Sequence, residues 1–439
     1  MNVDQKTLNR AVLSSLIGAT IEWYDFFLFG VVAGVVLNKL YFPSANPAVS
    51  LMLAYATFAV GFITRPLGGI VFGHFGDRIG RKSVLVVTLI IMGVATFLVG
   101  LVPTYAQIGL WAPALLLTIR VFQGIGLGGE WGGSVLMAYE FAPQEKRGFY
   151  TSIPQMGLSI GILLASGSLA LLSSTLSNRD FMAWGWRACF LASFVLVLVG
   201  LWIRLRLVET PDFAKVKERH QEARLPIASV LKDDTRNLLL GLGARHIDGV
   251  FFNIFAVFAV SYLISTVHVA RNTVLVALMV GAAVLTVFIP LAGRLSDRVN
   301  RARLFAVAAL ISALSVFPAF YVMREAGGST VLIWLAIIIP YGILYSAVYG
   351  NVAALQCDLF EPRVRYTGIS FIYQTTAAVA GLTALISTVL VRLDHGKPWM
   401  VCWYVLLSGL LSFACASAIA RGRSRGAARG FAAASRDLP

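Results

Sequence analysis

The chain has 439 residues, of which 58% are hydrophobic and only 13% are charged. This composition excludes a soluble globular protein and indicates a polytopic membrane protein. The net charge of +15 would suit a nucleic-acid-binding protein in a soluble chain, but the basic residues are concentrated in alternate loops, which is a signal of membrane topology.

Apolar runs long enough to cross a bilayer, about 20 residues each, predict twelve transmembrane helices and an all-α membrane fold. In the first half the spans are expected at about 12–37, 48–72, 83–103, 112–140, 149–176 and 185–206. In the second half they are expected at about 237–265, 274–292, 304–323, 331–356, 366–391 and 400–420. The predicted organisation is a six-helix bundle over 1–206, a cytoplasmic connector over 207–236, a second six-helix bundle over 237–421 and a basic cytoplasmic tail over 422–439.

The distribution of lysine and arginine predicts the orientation of the chain. With the N-terminus in the cytoplasm, basic residues favour the cytoplasmic segments by roughly four to one, so both termini are expected there. The basic residues left on the other side are Lys39, Arg179, Arg271, Arg324, Arg392 and Lys397. The expected location is the inner (cytoplasmic) membrane of a cell.

A charged, glycine-spaced turn occurs twice. Residues 73–82 read Gly-His-Phe-Gly-Asp-Arg-Ile-Gly-Arg-Lys, and residues 293–303 read Gly-Arg-Leu-Ser-Asp-Arg-Val-Asn-Arg-Ala-Arg, each between two apolar runs. The shared pattern Gly-x-x-x-Asp-Arg-x-x-Arg, separated by half the chain, indicates an internal repeat. Repeats of this period inside hydrophobic sequence are typical of secondary transporters.

The turn and its repeat resemble the loop motif of the major facilitator superfamily. Three further stretches resemble the metabolite:proton symporter family within it, namely 22–30 (EWYDFFLFG), 64–69 (TRPLGG) and 120–133 (RVFQGIGLGGEWGG). Members of that family carry citrate, 2-oxoglutarate, shikimate, other organic acids, or proline and betaine. The resemblance implies two six-helix bundles around a central cavity, working by alternating access.

Within this resemblance, the loop motifs are candidates for a gate. Glycine permits close helix approach, and Asp77 can accept hydrogen bonds from arginine or from the N-terminal end of a neighbouring helix. The alternative is a loop that only orients the protein in the membrane. The gating candidates are Gly73, Asp77, Arg78, Arg81, Asp297 and Arg298.

Ionisable side chains inside spans are costly and therefore mark functional candidates. Asp25 is predicted to carry the proton, because a carboxyl group alternating between an apolar cavity and an arginine can bind and release a proton near neutral pH. Arg120 is assigned as that arginine, since an acid in the first span and an arginine in the fourth are similar to the coupling pair of the related sugar porters. The alternative is a static ion pair. Glu22, on the same helix face, and Glu130 are further candidates for the proton.

The fold implied by the resemblance places the first, fourth, seventh and tenth spans around the cavity, helped by the second, fifth, eighth and eleventh. Arginine pairs well with carboxylates, so the arginines favour an organic anion, although neighbouring acids can neutralise them. The candidate substrate residues are Tyr24, Arg65, Arg120, Gln123, Trp131, Gln155, Arg245, Asp248, Asn253, Tyr341, Tyr345, Tyr349, Tyr373 and Gln374.

The expected function is proton-coupled uptake, by symport, of a small mono-, di- or tricarboxylate. Two alternatives within transport are symport of a zwitterionic osmolyte such as proline or betaine, and uncoupled facilitation. A membrane sensor or scaffold is the second class considered. No Walker lysine, zinc pair or nucleophile with its base is present in a plausible arrangement, so an enzyme is not expected. The expected partners are the substrate, protons and the lipid bilayer, with no cofactor and no nucleic acid, and the chain is expected to function as a monomer.

Overall fold

Long apolar helices dominate the computed structural model, which describes residues 4–44 and 46–434. Twelve of them in this part of the chain are long and apolar enough to span a membrane, as the sequence predicts. They are Gln5–Leu40, Val49–Arg78, Arg81–Leu101, Trp111–Phe141, Gln144–Thr175, Asn178–Leu205, Thr235–Ser265, Arg271–Arg298, Arg301–Glu325, Thr330–Cys357, Arg365–Leu393 and Trp399–Gly422.

Most spans extend beyond the windows expected from hydropathy. The first begins at Gln5 and the second ends at Arg78, because amphipathic turns continue each helix past its apolar core. The last helix runs from Trp399 to Ala434, so much of the segment predicted as a basic tail is helical. Residues 435–439 of that tail lie outside the described residues.

The spans form the two six-helix bundles predicted from the sequence. In the first bundle, the first span packs along the fifth and the third along the fourth. In the second, the twelfth span packs against the ninth and the seventh. The bundles meet through two related contacts, the second span with the eleventh and the fifth with the eighth. Each contact therefore joins the second helix of one bundle to the fifth helix of the other, as expected for an internal repeat.

Glycine allows the second and fourth spans to approach closely. A Cβ atom at Gly128 would lie 2.3 Å from the carbonyl oxygen of Arg65, and one at Gly68 would lie 2.0 Å from that of Ile125. Such small-residue contacts are a common way to pack helices in membranes. They fix the second span beside the fourth and so position Phe58, Phe62 and Arg65.

Wide π-helical turns interrupt the first and seventh spans at related depths, over Ala33–Leu37 and Ile254–Phe258. Such turns insert extra residues into a helix and often mark functional sites. Gly34, Val35, Ala256 and Val257 from these segments line the same central space. The two turns therefore shape facing walls of one cavity.

Candidate functional site

A cavity of about 730 Å³ lies between the two bundles. Its lining residues belong to the first, second, fifth, seventh, eighth, tenth and eleventh spans. Val35, Tyr55 and Arg271 belong to the span ends opposite the loop motifs, and all three are exposed. Tyr349 and Tyr373 are buried. The cavity therefore opens on the membrane side opposite the loop motifs, and its floor lies between the bundles.

Each bundle contributes one ion pair to the walls. In the first bundle, Arg65 Nη2 lies 3.0 Å from Glu22 Oε1, and both side chains are buried. In the second, Arg245 Nη2 lies 3.0 Å from Asp248 Oδ2, one helical turn away. Arg65, Arg245 and Asp248 line the cavity. Internal pairing therefore cancels much of the charge that the sequence places there.

Arg245 rests on an aromatic floor that joins the two bundles. Its guanidinium carbon lies 3.7 Å from the centroid of the Tyr373 ring, and that ring stacks on Trp131 at 3.8 Å. Trp131 Nε1 donates to Gln155 Oε1 at 2.9 Å, and Gln155 Nε2 donates to the Tyr349 carbonyl oxygen at 3.2 Å. The floor therefore holds the fourth and fifth spans against the tenth and eleventh.

The tyrosines of the tenth span form one stacked column. The Tyr345 ring lies 5.9 Å from that of Tyr341 and 5.6 Å from that of Tyr349. The Tyr345 hydroxyl donates to Asp248 Oδ1 at 2.8 Å. The hydroxyls of Tyr341 and Tyr349 are buried without a hydrogen-bond partner, and only Tyr345 and Tyr349 of the column line the cavity. Tyr349 thus offers an unused donor at the floor.

Asp25 and Arg120 lie behind the cavity wall, inside the first bundle, and side chains bridge them. Thr96 Oγ1 lies 2.6 Å from Asp25 Oδ2 and 2.7 Å from Gln123 Nε2. Arg120 Nη1 donates to Gln123 Oε1, and Arg120 Nη2 donates to the Phe58 carbonyl oxygen at 3.2 Å. No direct ion pair joins Asp25 to Arg120, so the predicted pair is present only through Gln123 and Thr96.

The buried charges within the spans can be matched one by one in the described part of the chain. The buried acids are Glu22, Asp25, Asp77, Glu130, Glu140 and Asp248, and the buried arginines are Arg65, Arg81, Arg120, Arg204, Arg245 and Arg365. Every acid except Asp25, and every arginine except Arg120, belongs to an ion pair. Asp25 and Arg120 are therefore the buried acid and the buried arginine of the described residues that make no direct ion pair.

Glu130 belongs to a separate cluster in the first bundle. Both terminal nitrogens of Arg204 donate to its carboxylate, and Thr88 and Ser134 donate to it at 3.0 Å. A Cβ atom at Gly18 would collide with this pair. The cluster therefore ties the first, third, fourth and sixth spans together. Arg204 falls within the sixth span predicted at 185–206, but the sequence did not mark it as a functional candidate.

Three other candidate substrate residues have protein partners. The Tyr24 hydroxyl donates to the Cys189 carbonyl oxygen at 2.9 Å, away from the cavity lining. Gln374 Nε2 donates to the Gly128 carbonyl oxygen at 2.9 Å, across the contact between the bundles. Asn253 lines the cavity and donates to the Gly249 carbonyl oxygen at 2.9 Å. The fourth span, expected as a wall, contributes none of the lining residues.

The first loop motif closes the end of the molecule opposite the cavity mouth. Asp77 accepts hydrogen bonds from the backbone N–H groups of Tyr366 and Thr367, at 3.3 and 2.9 Å, in the first turn of the eleventh span. A Cβ atom at Gly73 would lie 2.8 Å from the Thr367 Cα. Arg81 pairs with Asp77 at 3.2 Å. A carboxylate at a helix N-terminus is a favourable arrangement, so the motif holds the bundles together here.

The second loop motif makes the related contact. Asp297 accepts hydrogen bonds from the backbone N–H groups of Gly148 and Phe149, at 2.6 and 2.8 Å, in the first turn of the helix Arg147–Gln155 of the fifth span. Arg301 pairs with Asp297 at 2.8 Å. Arg78 and Arg298, the other candidates at these turns, are exposed.

The connector contributes to the same closed end. It contains two short helices, Pro211–Glu218 and Pro226–Asp233. Asp212 contacts Arg365 at 3.1 Å and Arg147 at 3.7 Å. Phe213 is 1% exposed, and its ring lies 4.5 Å from the guanidinium carbon of Arg81. The beginning of the connector is therefore packed against the first loop motif and the start of the eleventh span.

No group of three His, Cys, Asp or Glu side chains able to hold a metal ion occurs among residues 4–44 and 46–434. The polar groups in and around the cavity are buried carboxyls, arginines, amides and phenols. These groups can donate and accept hydrogen bonds to a polar solute in the cavity.

Comparisons with known proteins agree with this architecture. The model of the Major Facilitator Superfamily matches residues 15–385. The shikimate transporter of Escherichia coli K12 is 38% identical over 92% of this chain and 92% of its own. The proline/betaine transporter of the same strain is 31% identical over 89% of this chain and 79% of its own.

The proton:xylose symporter XylE, solved with 6-bromo-6-deoxy-D-glucose bound, shares the fold. Its TM-score is 0.76 at 16% identity, and the match covers 95% of each chain. The relatives are transporters of small molecules and not enzymes. The chain belongs to the Major Facilitator Superfamily and is a multi-pass secondary transporter of a small-molecule metabolite.

Proposed function

We propose that the protein carries a small organic acid, as a monoanion, together with one proton. The proton site is Asp25, assisted by Arg120. The observation that supports it best is the matching of buried charges, in which Asp25 and Arg120 alone make no direct ion pair in the described part of the chain. A buried carboxylate that makes no direct ion pair is costly, so its chemistry favours gain and loss of a proton over a fixed structural role.

The charge of the cavity supports an anionic substrate. Its charged lining residues are Arg65, Arg245, Arg271 and Asp248. Asp248 balances Arg245, and Glu22, directly behind the wall, balances Arg65. Arg271 is exposed at the mouth and leaves one positive charge in excess. One excess positive charge suits a substrate with one negative charge, such as shikimate, for which one relative is named.

Symport of a zwitterion is the second candidate, because the wall on the first bundle is strongly aromatic. Trp23, Phe26, Phe27, Phe58 and Phe62 line it, and aromatic faces attract quaternary ammonium groups. The proline/betaine relative adds weight to this candidate.

We assign the loop-motif side to the cytoplasm of a bacterial cell and both termini to the same side. This orientation follows the excess of lysine and arginine in the loops on that side. The cavity would then open to the outside in this structure, as uptake requires for substrate loading. To open the cytoplasmic side, the first loop motif would have to separate from the start of the eleventh span and the second from the start of the fifth.

The test is uptake into proteoliposomes of shikimate, citrate, 2-oxoglutarate, proline and glycine betaine, with the pH gradient and the voltage imposed separately. A monoanion carried with one proton is electroneutral and responds only to the pH gradient. A zwitterion carried with one proton also responds to voltage, which supplies about 2.3 kcal/mol per charge per 100 mV. Accumulation of an acid by the pH gradient alone supports the proposal. Accumulation of betaine by voltage alone supports the second candidate, and equilibration without accumulation contradicts coupling.

A further inference from the structure

The Thr96 hydroxyl occupies the position between the proposed proton site and its arginine. Three atoms surround Thr96 Oγ1, namely Asp25 Oδ2 at 2.6 Å, Gln123 Nε2 at 2.7 Å and the Met92 carbonyl oxygen at 2.9 Å. Asp25, Thr96 and Gln123 are fully buried. Each contact therefore replaces a hydrogen bond that water would otherwise supply.

The donor in each contact follows from the chemistry of the groups. Arginine can only donate, so the oxygen of Gln123 faces Arg120 and its NH₂ group faces Thr96. Thr96 Oγ1 therefore accepts from Gln123. Its single proton is left to point either to Asp25 or to the Met92 carbonyl oxygen, four residues earlier on the same helix, which is a common partner of threonine in helices.

These two directions match the two protonation states of Asp25. When Asp25 is ionised, the Thr96 hydroxyl donates to its carboxylate. When Asp25 holds a proton, the carboxyl group donates to Thr96 Oγ1, and Thr96 donates to Met92. Rotation of one hydroxyl satisfies both states, with no movement of a heavy atom.

We propose that Thr96 is a positioning residue for proton exchange at Asp25, and that it reports the protonation state of Asp25 to Arg120 through Gln123. This inference rests on the proposed proton-coupled function and adds two residues to its mechanism. Reversal of the Asp25–Thr96 hydrogen bond changes the polarisation of Gln123, and adjacent hydrogen bonds in a low-dielectric interior influence each other.

The chain of hydrogen bonds ends at the substrate cavity. Arg120 donates to the Phe58 carbonyl oxygen at 3.2 Å, and its guanidinium carbon lies 5.5 Å from the centroid of the Phe58 ring. Phe58 lines the cavity and packs against Phe62 with 5.3 Å between ring centroids. A change at Asp25 can therefore reach the cavity wall through contacts that are already present.

The charged and titratable groups near Asp25 come from several spans. Glu22 and Tyr24 are on its own span, and Arg120 faces it from the fourth. Arg65 of the second span neutralises Glu22, and the Tyr24 hydroxyl is directed to Cys189 of the sixth. Thr96 therefore differs from these groups, because it is neutral and its hydroxyl can rotate when Asp25 gains or loses a proton.

The test is infrared difference spectroscopy of the full-length protein in lipid, titrated with pH and without substrate. The signal is the carbonyl stretch of a protonated carboxyl group, and its loss in Asp25→Asn assigns the band to Asp25. Thr96→Val keeps the shape and removes the hydroxyl, whereas Thr96→Ser keeps the hydroxyl. Thr96→Ala also removes the hydroxyl and is the second variant to use if valine disturbs the packing.

In Thr96→Val both protonation states of Asp25 lose a hydrogen bond, and the bond to the ionised carboxylate is the stronger of the two. The titration midpoint of the band is therefore expected about one pH unit higher. Thr96→Ser is expected at the wild-type midpoint. Equal midpoints in all variants would overturn the inference, as would equal shifts in the serine and valine variants, which would assign the effect to packing. If the wild type shows no band that depends on Asp25, the proposed proton site itself fails, and the role of Thr96 fails with it.

Discussion

The two bundles hold their central charges in different ways. In the second bundle, Arg245 and Asp248 are one turn apart on a single helix and in direct contact at 3.0 Å. In the first bundle, Asp25 and Arg120 belong to different spans and are joined only through Thr96 and Gln123. A pair on one helix keeps its partner however the bundles move, whereas a bridged pair between helices can change its contacts when one member gains a proton.

This difference suggests a division of labour. In the proposed function, the second bundle supplies a fixed charge pattern, set into an aromatic floor, that a substrate can contact. The proposed role of the first bundle is to supply a carboxyl group whose charge changes. A carrier that couples two solutes needs both properties, because the substrate site must remain recognisable while the proton site alternates.

The largest effect is expected from Asp25→Asn, compared with Asp248→Asn. Asparagine cannot bind and release a proton, so Asp25→Asn should abolish accumulation while leaving exchange of substrate across the membrane partly intact. Asp248→Asn leaves Asp25 in place and should change the KM but still allow accumulation. The measurement is uptake and counterflow in proteoliposomes, with the acid that the wild type accumulates.

Two outcomes would contradict this contrast between the bundles. Wild-type accumulation by Asp25→Asn would remove Asp25 from proton coupling. Loss of accumulation in both variants, with exchange retained in both, would mean that the pair in the second bundle also takes part in coupling and that its charge is not fixed.

The next effect is on stability, and it compares Glu130 with Asp25. Glu130→Gln leaves Arg204 buried without its carboxylate, which in a buried pair typically costs about 3 kcal/mol. Asp25→Asn separates no ion pair, so its cost should stay below about 1 kcal/mol. The free energy of unfolding of the purified protein, measured for both variants, gives the comparison. Equal losses would show that Asp25 is held as firmly by its neutral partners as Glu130 is by Arg204.

Sequence alone predicted the parts of this picture that depend on local pattern. The twelve spans and the two bundles follow from apolar runs and from the repeated Gly-x-x-x-Asp-Arg-x-x-Arg turn. Asp25 and Arg120 became candidates because ionisable side chains are rare inside spans, and the resemblance to the sugar porters suggested pairing them. Each copy of these signals lies within one helix or one loop, where the separation of two residues in the sequence determines their relative positions.

The residues that sequence reasoning missed depend on contacts between helices. Thr96 is neutral and one of many threonines, so nothing in its own segment marks it. Arg204 lies at the end of the sixth apolar run and was not selected as a candidate, although it forms a buried ion pair with Glu130. Acids inside spans can be recognised in the sequence. Which arginine pairs with each acid depends on which helices pack together, and the sequence of one segment does not contain that information.

The gate offers a comparison between the two copies of the loop motif. Asp77→Asn and Asp297→Asn each remove the negative charge from a helix N-terminus, which weakens charge-assisted hydrogen bonds by about 1.5 kcal/mol. Each should increase the open population of the motif side about tenfold. The readout is the rate at which a thiol reagent modifies Ser370→Cys, buried between the bundles, in a background without the native cysteines. Arg78→Gln is the control, since Arg78 is exposed, and a similar acceleration there would contradict the assignment.

The smallest effect is expected at Arg271, the exposed cation at the cavity mouth. A charge near an opening raises the local concentration of oppositely charged solutes, over about 8 Å at physiological salt. Arg271→Gln should therefore raise the KM for an anionic substrate about threefold at low salt, with the difference fading as salt increases, and should leave the KM for a zwitterion unchanged. Arg179→Gln is the matched control, because Arg179 is exposed at the start of the sixth span, which contributes no residue to the lining.

A salt-independent increase in the KM would mean that Arg271 contacts the bound substrate directly. No increase at all would mean that the excess positive charge does not act on substrate selection, and the choice between an acid and a zwitterion would then depend on the aromatic wall and the floor.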